Sequence, residues 1–94
     1  MYLHLGGDVC VNIKDIVAIM DMETTSTSKI TREFLRIKQK NQEIQSVNDE
    51  LPKSYVIINE NNNTRVYISP ISSQTLLKRA NNIKAYFSSQ FRRN

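Results

Sequence analysis

The stretch from Ser54 to Ser69 constrains the fold more than any other part of this 94-residue chain. Ser54-Tyr55-Val56-Ile57-Ile58 and Arg65-Val66-Tyr67-Ile68-Ser69 are short runs rich in β-branched and aromatic residues, separated by Glu60-Asn61-Asn62-Asn63-Thr64. Such side chains suit a pleated surface, and an asparagine cluster between two such runs supplies a turn. The spacing predicts a β-hairpin with a loop of about five residues, closed by Pro70.

The first 21 residues also read as β. Tyr2, Leu3 and Leu5 form a short strand closed by the turn signal Gly6-Gly7-Asp8, and Val9, Cys10, Val11 and Ile13 form a second. After a brief turn at Asn12-Ile13-Lys14-Asp15, the run Ile16 to Met20 is expected to be a buried strand. Residues 42–52 are polar, with Pro52 and Asn48-Asp49-Glu50, and read as a surface loop with a short strand near Ile44.

Two helices are expected. Thr24 to Ser28 is a Ser/Thr cluster that can cap a helix from about Lys29 to Lys40. Ile30, Phe34 and Ile37 recur at i, i+4, i+7, a face suited to packing on a sheet, while Leu35 lies off it. Asn41 is the expected stop, because asparagine tolerates the left-handed conformation. Ser72 and Ser73 offer caps for a second helix, in which Leu76, Ala80, Ile83, Phe87 and Phe91 form the apolar row. Asn81-Asn82 is its weak point, and the last residues, from about Ser88, are expected to be disordered.

The fold class is therefore α+β, with a twisted, mostly antiparallel sheet, one central helix and a C-terminal helix. A chain this short buries only about two-thirds of its unfolded surface, so oligomerisation is one route to stability. The longest apolar run, Ile16 to Met20, is far short of the roughly 20 residues needed to span a bilayer. The N-terminus lacks a basic segment followed by a long apolar stretch, and Cys10 has no second cysteine to pair with. A cytoplasmic protein without a membrane partner is expected.

Little here points to catalysis. His4 is the only histidine and reads as a solvent-facing strand residue, and Cys10 as a small half-buried one. No Cys/His cluster has metal-ligand spacing, and Gly6-Gly7 is a turn rather than a phosphate cradle. The expectation is a non-enzyme without metal or cofactor.

Charge is more informative. The formal net charge is +4, unevenly spread. Residues 27–41 carry Lys29, Arg32, Arg36, Lys38 and Lys40 against Glu33, and residues 71–94 carry Lys78, Arg79, Lys84, Arg92 and Arg93 with no acid. Both predicted helices are basic and the rest of the chain is acidic. Lys29, Arg32, Arg36 and Lys40 make one cationic stripe at helical spacing, about a third of a turn from the Ile30/Phe34/Ile37 face. Such a stripe can hold phosphates, and is equally an ordinary solvated face. Aromatic interleaving is thin: Tyr55 and Tyr67 read as cross-strand packing rather than base stacking.

Four stretches together carry a family resemblance: Met1-Tyr2-Leu3-His4-Leu5-Gly6, Lys14-Asp15-Ile16-Val17-Ala18-Ile19-Met20-Asp21, Pro52-Lys53-Ser54, and Tyr67-Ile68-Ser69-Pro70-Ile71-Ser72-Ser73-Gln74-Thr75-Leu76. In order and spacing they resemble the extracellular-matrix regulatory family of Gram-positive bacteria, the RemA/RemB type, and the RemB branch more closely. The resemblance implies a regulatory domain over residues 1–80, with 81–94 a basic C-terminal extension, and a fold similar to the LytTR DNA-binding module. It implies a regulator of biofilm-matrix genes that binds double-stranded DNA as a homo-oligomeric ring, adding many weak basic patches along one bent duplex. A DNA-contacting arginine of the family falls on or next to Lys14, and a basic cluster reduces here to Lys53. Lysine keeps the charge but not the planar fork. The DNA-binding candidates are Lys14 and Lys53, then Arg65 and the Lys29/Arg32/Arg36 stripe. The alternative is an oligomeric interaction protein that regulates through a protein partner.

Overall fold

The computed structural model describes residues 1–25 and 28–91. Strands β1 (Tyr2–Gly6) and β2 (Val9–Asn12) form a hairpin, followed by one 3-10 turn at Ile13–Asp15 and strand β3 (Ile16–Asp21). Helices α1 (Met22–Thr25) and α2 (Lys29–Lys40) follow, then β4 (Ile44–Ser46), β5 (Ser54–Glu60), β6 (Asn63–Ser69) and α3 (Ser73–Phe91). The expected α+β class holds. The strands divide into the β1–β2 hairpin and a four-stranded sheet of order β3-β5-β6-β4, antiparallel except for the β4–β6 pair.

The central hairpin turns more tightly than expected. Glu60 pairs with Asn63, so the loop is two residues, and Asn61 and Asn62 have φ of 52° and 66°. Two consecutive positive φ angles match the right-handed twist of the flanking strands, and asparagine tolerates them at small cost. The expected glycine turn is present: Gly7 has φ +54°, and a Cβ there would lie 2.6 Å from the Val47 carbonyl oxygen.

Strand register assigns the faces of the sheet. Successive side chains alternate, and Val56 pairs with Tyr67 and Ile19. Ser54, Val56 and Ile58 therefore face one way, with Ile16, Ile19, Tyr67 and Ser69. On this face they meet Leu3, Leu5, Val11, Ile13, Leu76 and Ala80, from the β1–β2 hairpin, the 3-10 turn and α3, in one core. The expected α3 row supplies Leu76, Ala80 and half-buried Ile83; the side chains of Phe87 and Phe91 lie outside the described ones. Two buried serines close the layer. Ser69 Oγ donates to the Leu5 carbonyl and accepts from Ile71 N–H at 3.1 Å, and Ser54 Oγ donates to the Ile71 carbonyl at 2.8 Å. Each buried hydroxyl is thus partnered.

The opposite face carries Tyr55, Ile57, Val66, Ile68, Ala18, Met20 and Ile44, and α2 lies over it. No residue of α2 is buried. The expected Ile30/Phe34/Ile37 contact with the sheet is only partly made, since Ile30 is 84% exposed and Ile37 is 44% exposed. The residues turned inward are Thr31, Phe34, Leu35 and Lys38. Leu35 therefore sits near Ile44, Tyr55 and Ile68 rather than in solvent. Lys38 belongs to this inward row: its Nζ donates to the Thr64 carbonyl at 3.1 Å, pairs with Glu43 at 3.4 Å and lies 5.8 Å from the Phe34 ring centre.

Several local expectations are corrected. Ile16 to Met20 is half-buried rather than buried, because β3 is an edge strand, and Val17 is exposed beside a bulge. Cys10 is exposed rather than half-buried. Helix α2 does stop at Asn41, but the left-handed residue is Gln42 (φ 59°). Gln42 N–H bonds the Gln39 carbonyl and Glu43 N–H the Lys38 carbonyl, a Schellman closure in which the residue after the cap turns. Part of the Ser/Thr loop is helical: Thr24 and Thr25 end α1, whose start Asp21 caps, while Ser26 and Thr27 lie outside the described residues. Ser28 caps α2 as expected. The Asn81-Asn82 pair does not break α3, which runs to Phe91 past the position where disorder was expected; Arg92 and Arg93 lie outside the described residues.

Candidate nucleic-acid interface

Among the described residues no group of three or more His, Cys, Asp or Glu side chains gathers as a metal site. No helix among them is long and apolar enough to cross a membrane. His4 Nε2 donates to the Gly7 carbonyl at 2.8 Å, which makes it a tie within the first hairpin. The candidate site lies in the arrangement of exposed cations.

Lys14 is exposed on the 3-10 turn, where its N–H is held by Asn12 Oδ1 at 3.1 Å. The turn follows from sequence: the asparagine side chain accepts from the residue two ahead, and Ile13 is buried as an anchor. Lys53 is exposed just before β5. Its N–H bonds the Ser69 carbonyl at 2.9 Å and its carbonyl accepts from Met22 N–H at 3.1 Å, so its backbone is clamped while its ammonium group is free to point outward.

The register separates these two lysines. Asp21 pairs with Ser54 and Ile16 with Ile58, so β3 and β5 begin at opposite ends of the sheet. Lys14 precedes one start and Lys53 the other, and the two starts lie roughly 17 Å apart along β3 at about 3.3 Å per residue. Arg65 pairs with Ile58 and so belongs to the Lys14 end. Its guanidinium donates to Gln45 Oε1 at 3.4 Å and lies 6.0 Å from the Tyr67 ring centre.

The α2 cations form a third location. Around a helix of about 100° per residue, Lys29, Arg32 and Arg36 point away from the inward row of Thr31, Phe34, Leu35 and Lys38. All three are exposed. Arg36 is paired with Glu33 at 2.7 Å; its hydrogen bond, and then its charge, hold the Glu33 carboxyl below the usual carboxylate range. The same two effects raise Arg36. Within one protomer, therefore, Lys14 and Arg65 share an end, Lys53 lies at the other, and Lys29, Arg32 and Arg36 face outward over the second layer. Lys38, counted with the helix charge in the sequence, is spent on internal contacts, and no sequence pattern distinguished it from its neighbours.

The candidate site is thus a set of presented charges on a small α+β scaffold. The chain matches the family model described as RemA-like, extracellular matrix regulatory protein A-like, over residues 2–80. It belongs to that family. It is 48% identical over 80 residues to the extracellular matrix regulatory protein B of Bacillus subtilis (strain 168), covering 85% of this chain and 90% of that protein. The resemblance expected from the four sequence stretches is thereby borne out.

Proposed function

We propose that this protein is a non-enzymatic regulator of extracellular-matrix genes that acts as a homo-oligomer and binds double-stranded DNA through phosphate contacts. Membership of the extracellular matrix regulatory family is the observation that carries the regulatory role. The exposure of Lys14, Lys53, Arg65, Lys29, Arg32 and Arg36 supports the DNA contact. Cations at both ends of one sheet cannot converge on a point ligand. They can touch a polyanion that runs past successive copies, where repetition adds weak contacts. Contacts of this kind position a duplex and carry no base code, so sequence preference would come from how easily the duplex bends.

A second reading, regulation through a protein partner, is favoured by the apolar side of α2 that the sheet leaves uncovered. Substitution separates the two. Lys14→Ala and Lys53→Ala are expected to weaken binding to duplexes of unrelated sequence by similar factors, as measured by fluorescence anisotropy. Unchanged affinity in both variants would remove these lysines from the interface.

A further inference from the structure

Ile30 and Leu51 are the two most exposed large apolar residues described, at 84% and 78%. Single exposed apolar residues are ordinary on a protein surface. These two differ in what surrounds them. Ile30 belongs to a continuous apolar groove with Met20, Phe34 and Ile57, between α2 and the β3 side of the sheet. Ile37, two turns further along the same flank of the helix, is also exposed, at 44%. Lys29 lies about 100° from Ile30 around the helix axis and rims the outer edge, while Lys40 stands about 15 Å further along the helix. The helix as a whole carries a net +4.

Leu51 is the opposite kind of feature, a single apolar knob in an acidic corner. Asp49 and Glu50 precede it, and Asp21 and Glu23 flank the neighbouring cleft, with Lys53 as the cation there. The loop is held in shape on both sides. Val47 N–H bonds the Ile68 carbonyl and Lys53 N–H the Ser69 carbonyl. Between them Asn48 donates to Glu50 Oε2 at 2.7 Å and accepts from Glu50 N–H at 3.1 Å. A side chain presented from a fixed loop loses little freedom on docking.

We propose that the Leu51 corner of one copy docks on the α2 groove of a second copy. Leu51 enters between Ile30, Phe34 and Met20, while Asp49 and Glu50 meet Lys29. The proposal rests on the homo-oligomer reading and names the surfaces that would build it. Charge selects this occupant. Two α2 grooves facing each other would bring together two +4 helices, whereas the Leu51 corner supplies the opposite sign along with an apolar plug. Lys29 then serves as an intersubunit contact rather than a DNA contact, and Arg32, turned to the other flank of the helix, is left to face outward. The residues are also dispensable to the single fold, since Ile30 and Leu51 bury almost nothing within it.

The test compares the solution mass of the full chain with that of variants, by sedimentation over a range of concentrations. Circular dichroism checks that each variant is folded. The wild type is expected to exceed the protomer mass. Leu51→Asp and Ile30→Asp are each expected to weaken association by tenfold or more while remaining folded. Glu50→Lys and Lys29→Glu are each expected to weaken it, and the double variant to regain it, which a general surface effect would not produce. A wild-type oligomer matched in mass by both Asp variants would overturn the docking surface and leave the oligomer reading standing. A wild type that stays a protomer at every concentration would overturn both.

Discussion

The two faces of the four-stranded sheet are built from similar residues and end in different states. On one face, Leu3, Leu5, Val56, Ile58 and Leu76 are all but inaccessible, sealed by the first hairpin and α3. On the other, α2 covers Ile57 and Val66 yet buries none of its own residues. The difference is one of coverage: two elements close the first face and a single 12-residue helix lies over the second. The closed face holds the fold, and the half-open face leaves apolar side chains of α2 in solvent.

Stability measurements break this comparison if it is wrong. Leu76→Ala removes a side chain from a site with no solvent access, and a loss of about 2–5 kcal/mol is expected. For a domain of this size that is a fall in Tm of several degrees per kcal/mol, about 4–8 °C. Ile30→Ala, also a large apolar truncation on a regular element, should stay within about 0.5 kcal/mol. Equal losses in urea denaturation would show that both faces contribute alike to the protomer.

A smaller effect sharpens the same contrast at the surface of α2. Glu33 is held below its ordinary range by Arg36, so the pair's contribution is present above the unfolded carboxylate range and is lost as pH falls through the folded value. Both side chains are well exposed, so solvent screens the pair and the contribution is slight. Urea midpoints of Glu33→Gln and wild type should differ marginally at pH 7 and converge in acid. A gap that widens as pH falls would contradict the assignment.

Much of the closed face was legible in the sequence. The β-branched and aromatic runs that carry Val56 and Tyr67, the Gly6-Gly7 turn and the Leu76/Ala80/Ile83 row each obey one local period, and local periods are what a sequence displays. The boundaries of α2 were equally readable from Ser28 and Asn41. Its rotation was not: Lys38 reads as one more surface cation and yet reaches Thr64, 26 residues away, while Leu35 turns inward and Ile30 and Ile37 stay exposed. The two-residue turn at Asn61-Asn62 was hidden by its neighbours Glu60 and Asn63, which are as polar as a loop and yet pair as strand. The site was legible as a list of cations, and the ends of the sheet they occupy depended on register. Leu51 was read as part of a polar loop, since nothing local marks a leucine that stays in solvent.

The central claim, that copies of this chain present exposed cations to a polyanion, is tested most directly by the salt dependence of duplex-DNA binding with the full chain. Neutralising several phosphates should give a linear log–log plot with a slope of about −0.9 for each phosphate contacted, several units in all. Absence of duplex binding even at low salt, or binding that is indifferent to salt, would contradict it.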